Sequence, residues 1–126
     1  MRRGLSSQLA IAIGRLRAKI AVRWRIVFSL MWKMIVGVLK ARLVLHGVTS
    51  LKQKRSIIKS LIGRLKSRFN TSIAEIDSQD VKTAAVIAVV AVANDTRFID
   101  QQFDKIISFM RRDGRFYLGT VERETF

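Results

Sequence analysis

The clearest periodicity in the chain runs from Ser50 to Asn70. At 100° per residue, Leu51, Ile58, Leu61, Ile62, Leu65 and Phe69 fall on one broad face, which predicts an amphipathic helix that buries that face. Lys52, Arg55, Lys59 and Lys66 fall within about 60° of one another along one edge of the apolar stripe, and Arg64 and Arg68 flank the other. Ser50, or Thr49, supplies a hydroxyl for the N-cap, and Asn70 a stop. Met34 to Leu45 is rich in β-branched residues and ends at His46-Gly47, the pattern of a strand. Thr71 to Asp77 alternates like an edge strand and leads into a turn at Ser78-Gln79-Asp80. Thr83 to Ala93 is almost continuously apolar, as in a central strand buried on both faces. Asn94-Asp95-Thr96 offers caps for a second helix, with a stripe of Ile99, Phe103, Ile106 and Met110 and with Phe98 and Phe109 beside it. Asp113-Gly114 turns the chain into a last strand, Arg115 to Glu122.

The order is strand, helix, strand, strand, helix, strand. This is the split β-α-β, or ferredoxin-like, arrangement of the α+β class, with two helices packed on one face of a four-stranded antiparallel sheet. In such a sheet the central strands should alternate apolar and polar. Ala84 to Ala93 is apolar at every position, and the first strand breaks its apolar run at Lys40 and Arg42. The face away from the helices is therefore expected to be apolar and covered. The expected cover is a second copy of the sheet in a homodimer, with the apolar side of residues 1–33 as the alternative.

Composition adds a boundary and a charge. The 126 residues fit a single domain with no Cys, which excludes disulfides and thiolate metal sites. The net charge is +15 and the pI about 11.6, which favours association with nucleic acid or anionic membranes. Residues 1–33 hold 8 of the 24 basic residues and no acid, whereas 34–126 holds 16 basic and 9 acidic residues, a net of +7. The chain thus divides into a basic N-terminal extension, 1–33, and a ferredoxin-like domain, 34–126. In the extension, residues 15–26 alternate like a strand but use helix-favouring Ala, Leu and Arg, and both readings stay open. The extension reads as a targeting peptide, an interfacial anchor, an RNA-binding arm, or a stretch upstream of a natural start at Met34; the last is favoured. Its longest uncharged run, Gly4 to Gly14, has 11 residues, too short to span a bilayer.

The helix at 50–70 carries seven cations and no acid, three of them in its first turn against the helix dipole. Free N–H groups and cations together make a site for phosphate; a solvated helix face is the alternative. Lys52, Lys54, Arg55, Lys59, Arg64, Lys66 and Arg68 are accordingly the candidate nucleic-acid-binding residues, and structured RNA or a ribosomal surface the candidate partner. The alternative is a protein-interaction or dimerisation module that binds no nucleic acid.

Nothing reads as catalytic. His46 is the sole histidine, with Thr49 and Ser50 near it but no third group to orient it. No glycine loop for phosphates is present, and no cofactor is expected. Glu75, Asp77, Asp80 and Asp95 are the candidate oxygens for a hard cation, with Glu75 and Asp77 on one face of an alternating strand. They read as a solvated hairpin, and no metal is expected. The central strands lack aromatic residues, so the sheet is not a base-stacking platform. Arg115, Phe116 and Tyr117 form the aromatic and basic cluster outside the helices and read as strand packing.

Four runs resemble the YlxP-like family of small bacterial proteins: Met-Ile-Val-Gly-Val-Leu from Met34, Ser-Leu-Lys-Gln-Lys-Arg from Ser50, Ala-Glu-Ile-Asp-Ser-Gln-Asp from Ala74, and Asn-Asp-Thr-Arg from Asn94. The resemblance covers about residues 34–124. That family is catalogued as a domain of unknown function, and its members are often encoded beside a translation initiation factor and a ribosome-binding factor. The resemblance implies a ferredoxin-like fold and a role near the ribosome; the absence of Cys is compatible with a reducing cytoplasm, the expected compartment. The resemblance carries over no catalytic residue. Members typically begin at the position matching Met34, and residues 1–33 depart from that pattern.

Overall fold

The computed structural model describes residues 34–126. The helix-or-strand question at 15–26 and the nature of the 1–33 extension lie outside the described residues. The elements follow as β1 (Ile35–Leu45), α1 (Leu51–Arg68), β2 (Ser72–Asp77), β3 (Ala84–Ala93), α2 (Thr96–Arg111) and β4 (Phe116–Thr125). The strands form one antiparallel sheet in the order β2-β3-β1-β4, the ferredoxin-like arrangement. Helix α1 lies against β2, and α2 lies across β3, β1 and β4.

Alternation along β1 sends Leu39, Ala41, Leu43 and Leu45 to the helix side, where all are buried. Their register partners on β3 are Val89, Ile87 and Ala85. Against these pack Ile58, Leu61 and Leu65 from α1 and Ile99, Phe103, Ile106 and Met110 from α2. Each fully buried side chain of this size stabilises the fold by roughly 1.5–3 kcal/mol. Gly37 marks where α2 comes closest: a Cβ there would collide with the Ile99 Cγ2 methyl and sit 3.0 Å from the Phe103 ring.

Two details depart from the pattern read along the chain. Strand β4 continues to Thr125 rather than ending at Glu122, and Val36 and Phe126 exchange backbone hydrogen bonds of 3.1 and 2.8 Å beyond it. The residues Glu122–Thr125 are polar, but the first half of β1 offers them paired backbone groups, and that pairing outweighs their composition. In β2 the register shifts between Glu75 and Asp77. Glu75 therefore pairs opposite Ile87 on the core side, while Asp77 pairs opposite Val86 on the outer side. The expectation that Glu75 and Asp77 share a face is corrected by this bulge, because one extra residue reverses the alternation.

The outer face, away from the helices, carries Val36, Val38, Lys40, Arg42 and Val44 from β1 and Ala84, Val86, Ala88, Val90 and Val92 from β3. Val44, Val90 and Val92 are exposed there, whereas Ala84 and Val86 are buried although they lie outside the helix-side core.

Candidate nucleic-acid interface

Helix α1 starts where its sequence supplies partners for its free N–H groups. The Ser50 hydroxyl accepts from the Gln53 N–H at 3.1 Å, and the Gln53 side-chain oxygen accepts from the Thr49 N–H at 3.1 Å. This is a reciprocal box one residue wider than the usual one. The Ser-x-x-Gln spacing at Ser50 is its signal in the sequence. No acid sits in the first turn, and Lys66 and Arg68 lie in the last, where cations suit the dipole.

Of the seven candidate binding residues on α1, six are exposed: Lys52, Arg55, Lys59, Arg64, Lys66 and Arg68. Lys52, Arg55, Lys59 and Lys66 run along one edge of the helix. Arg64 and Arg68 lie on the other, toward α2. The Arg68 guanidinium sits 4.8 Å above the Phe109 ring, a cation–π contact, and Phe69 meets the same ring edge-on at 6.5 Å. Among the described residues, no carboxylate lies within salt-bridge distance of any of the six.

Lys54 is different, and its place among the surface cations is corrected. It is fully buried. Its ammonium lies 3.2 Å from a Glu75 carboxylate oxygen and donates a hydrogen bond to the Ser78 carbonyl. The Glu75 contact is ionic rather than a directed hydrogen bond, since that oxygen finds no aligned donor. The physical reason is positional. Residues 54, 58, 61 and 65 share one face, so Lys54 belongs to the apolar stripe and points at the sheet. Glu75, turned to the core side by β2, meets it there. Ser78 adopts φ +62, and its N–H donates to the Asp77 carboxylate at 2.6 Å, so the turn presents its carbonyl to the buried ammonium. The runs from Ser50 and from Ala74, 19 residues apart between Arg55 and Ala74 along the chain, thus meet in one ion pair.

The remaining candidates separate. The Asp95 carboxylate accepts from the Arg97 N–H at 2.9 Å and caps α2. Glu75 pairs with Lys54, Asp77 and Asp95 accept from nearby backbone N–H groups, and no cluster of three or more potential metal-ligating His, Cys, Asp or Glu side chains exists among the described residues. The exposed His46 lies against Tyr117 with ring centroids 3.8 Å apart and the rings tilted by 44°. The Arg115-Phe116-Tyr117 group is dispersed: Phe116 enters the core, Tyr117 is 67% exposed, and Arg115 pairs with Asp113. That pair makes two side-chain bonds, of 2.9 and 2.6 Å. The bonds from Arg115 hold the Asp113 carboxyl below its usual range against the opposing effect of burial, and Arg64 adds a weaker pull in the same direction. No described helix is long and apolar enough to cross a membrane.

The family model described as "Protein of unknown function (DUF503)" matches residues 36–123. The "Uncharacterized protein YlxP" of Bacillus subtilis (strain 168) is 25% identical over 76 residues, which span 60% of this chain and 83% of that protein. Among solved structures, the de novo designed protein Foldit4 aligns with a TM-score of 0.47 at 15% identity, over 74% of this chain and 96% of its own. The ACT domain of the GTP pyrophosphokinase of Chlorobium tepidum aligns with a TM-score of 0.42 at 15% identity, over 73% and 88%. With its matched segment running through all four strands and both helices, the chain belongs to the DUF503 family of proteins of unknown function.

Proposed function

We propose that the domain is a binding module for structured RNA, such as a ribosomal surface, and that it acts in the cytoplasm without catalysing a reaction. One observation carries this reading. A single helix presents Lys52, Arg55, Lys59, Arg64, Lys66 and Arg68 to solvent, and no carboxylate among the described residues pairs with any of them. Self-repulsion among these charges destabilises the isolated domain, and a polyanion relieves it. Contacts of this kind go to phosphates, so binding tracks charge and shape rather than base sequence.

The test is anisotropy or filter binding on a labelled RNA duplex across a salt series. Binding should weaken steeply with salt. Replacing Lys52, Arg55, Lys59 and Lys66 together by Glu should abolish it while circular dichroism stays unchanged. Equal binding by that variant would make the helix edge a solvated face only. A second reading, a protein-interaction module, is favoured by a different observation: Val44, Val90 and Val92 stand exposed on the sheet face opposite the helices.

A further inference from the structure

We infer that the seam between α1 and α2 is a phosphate-binding site, in which Arg64 and Arg68 from α1 and Lys105 and Arg112 from α2 hold the backbone of one nucleic-acid strand. That the strand is RNA rests on the reading above; the seam itself stands on its own geometry.

The first argument is how α2 sorts its charges. Phe109 faces α1, because its ring meets Phe69 edge-on at 6.5 Å and carries the Arg68 guanidinium 4.8 Å above it. At helical spacing Lys105 and Arg112 lie within about 60° of Phe109, on the same edge. Both are exposed. The acids of α2, Asp100 and Asp104, lie on the far side of the helix from Phe109, where Asp104 pairs with Arg123 of β4 at 2.7 Å. Helix α1 has no acid at all. A face that is merely solvated mixes both signs; here the two edges that meet are both basic.

The second argument is that the one acid at the seam is already matched. Asp113 follows α2, and Arg115 takes its carboxylate through two side-chain bonds, of 2.9 and 2.6 Å. Arg64 also acts on that carboxyl through space, which places this α1 arginine near the C-terminal end of α2. With Asp113 held by Arg115, no carboxylate among the described residues lies within salt-bridge distance of Arg64, Arg68, Lys105 or Arg112.

The third argument is preorganisation. The Phe109 ring supports one face of the Arg68 guanidinium and leaves the N–H groups along its edge free. The Arg112 Nε donates to the Ser108 carbonyl at 3.3 Å, which holds that side chain back along α2. A guanidinium fixed in plane grips phosphate through two parallel bonds, which an ammonium cannot do. The other edge of α1 carries Lys52, Lys59 and Lys66 with Arg55. The two edges therefore differ in kind: the lysine edge adds charge, and the arginine seam fixes position.

The test is binding of the full chain to a labelled RNA duplex across a salt series. Lys105→Gln and Arg112→Gln should each lower the slope of log K against log salt by about one unit. Arg111→Gln, on the far side of α2 from Phe109, should leave it unchanged. Arg68→Lys keeps the charge and loses the stacked fork, so it should bind about tenfold more weakly with the slope unchanged. Equal losses for Arg111→Gln and Arg112→Gln would overturn the seam and leave RNA binding to net charge alone. So would wild-type affinity in Arg68→Lys. If the wild type binds no duplex at any salt, the RNA reading falls, and titration with inorganic phosphate decides the seam by NMR. Saturable shifts of the side-chain N–H signals of Arg64, Arg68 and Arg112, without one at Arg97, would uphold it as a phosphate site. Uniform or absent shifts would overturn it.

Discussion

The Lys54 ammonium and the Glu75 carboxylate stand 3.2 Å apart and tie the first turn of α1 to the core side of β2. A fully buried lysine is tolerated only when its charge is matched, and here the Ser78 carbonyl adds a hydrogen bond. The pair orients the helix whose opposite faces carry the exposed cations.

Removing one partner leaves the other charge uncompensated. Lys54→Ala should destabilise the fold by about 3 kcal/mol, at the lower end for buried pairs because Glu75 keeps some solvent contact. The double variant Lys54→Met with Glu75→Leu should recover most of that loss. Urea unfolding of the four corners of this cycle measures the coupling, and purely additive losses would show that the two charges do not depend on each other.

The same burial separates Lys54 from its neighbours in binding. Lys52→Gln should lower the slope of log K against log salt for RNA by about one unit. Lys54→Met, assayed at a temperature where it is folded, should leave the slope unchanged. An equal drop for both would mean that Lys54 reaches the RNA after all.

Gly37 holds α2 close to the sheet. Gly37→Ala should cost about 1–3 kcal/mol, because the new methyl meets Ile99 and Phe103, both buried and both fixed in the core. Gly63→Ala, where nothing lies near the new methyl, should instead stabilise by about 0.5–1 kcal/mol through helix propensity. Thermal melts of the two variants should shift in opposite directions.

Asp113 gives the fold one acid-sensitive contact. Its carboxyl is held below the ordinary value of 3.8 by the bond from Arg115, so the stabilisation is complete above that value and is lost as pH falls through the lowered pKa. Asp113→Asn should cost about 1 kcal/mol at neutral pH, a modest figure because Arg115 is partly exposed. The gap between wild type and variant should close in acid. A gap that stays constant from pH 7 to pH 2 would show that the charge on Asp113 contributes nothing.

By itself the sequence determined the order of elements, the core stripe of each helix and the apolar run of β3. These follow from period alone: Ile58, Leu61 and Leu65 recur at helical spacing, and Ala84 to Ala93 has no polar position to turn outward. Tertiary structure decided where charge goes. Lys54 lies in the middle of the stripe, a position that charge alone assigns to the surface, and it is buried because Glu75 and Ser78 arrive from a strand and turn 21 and 24 residues away. The bulge at Ile76 that turns Glu75 inward and Asp77 outward is a property of the pairing with β3, not of the local alternation. The last residues of β4 likewise become a strand because β1 supplies hydrogen-bond partners, a long-range interaction that no local pattern of hydrophobic and polar residues encodes.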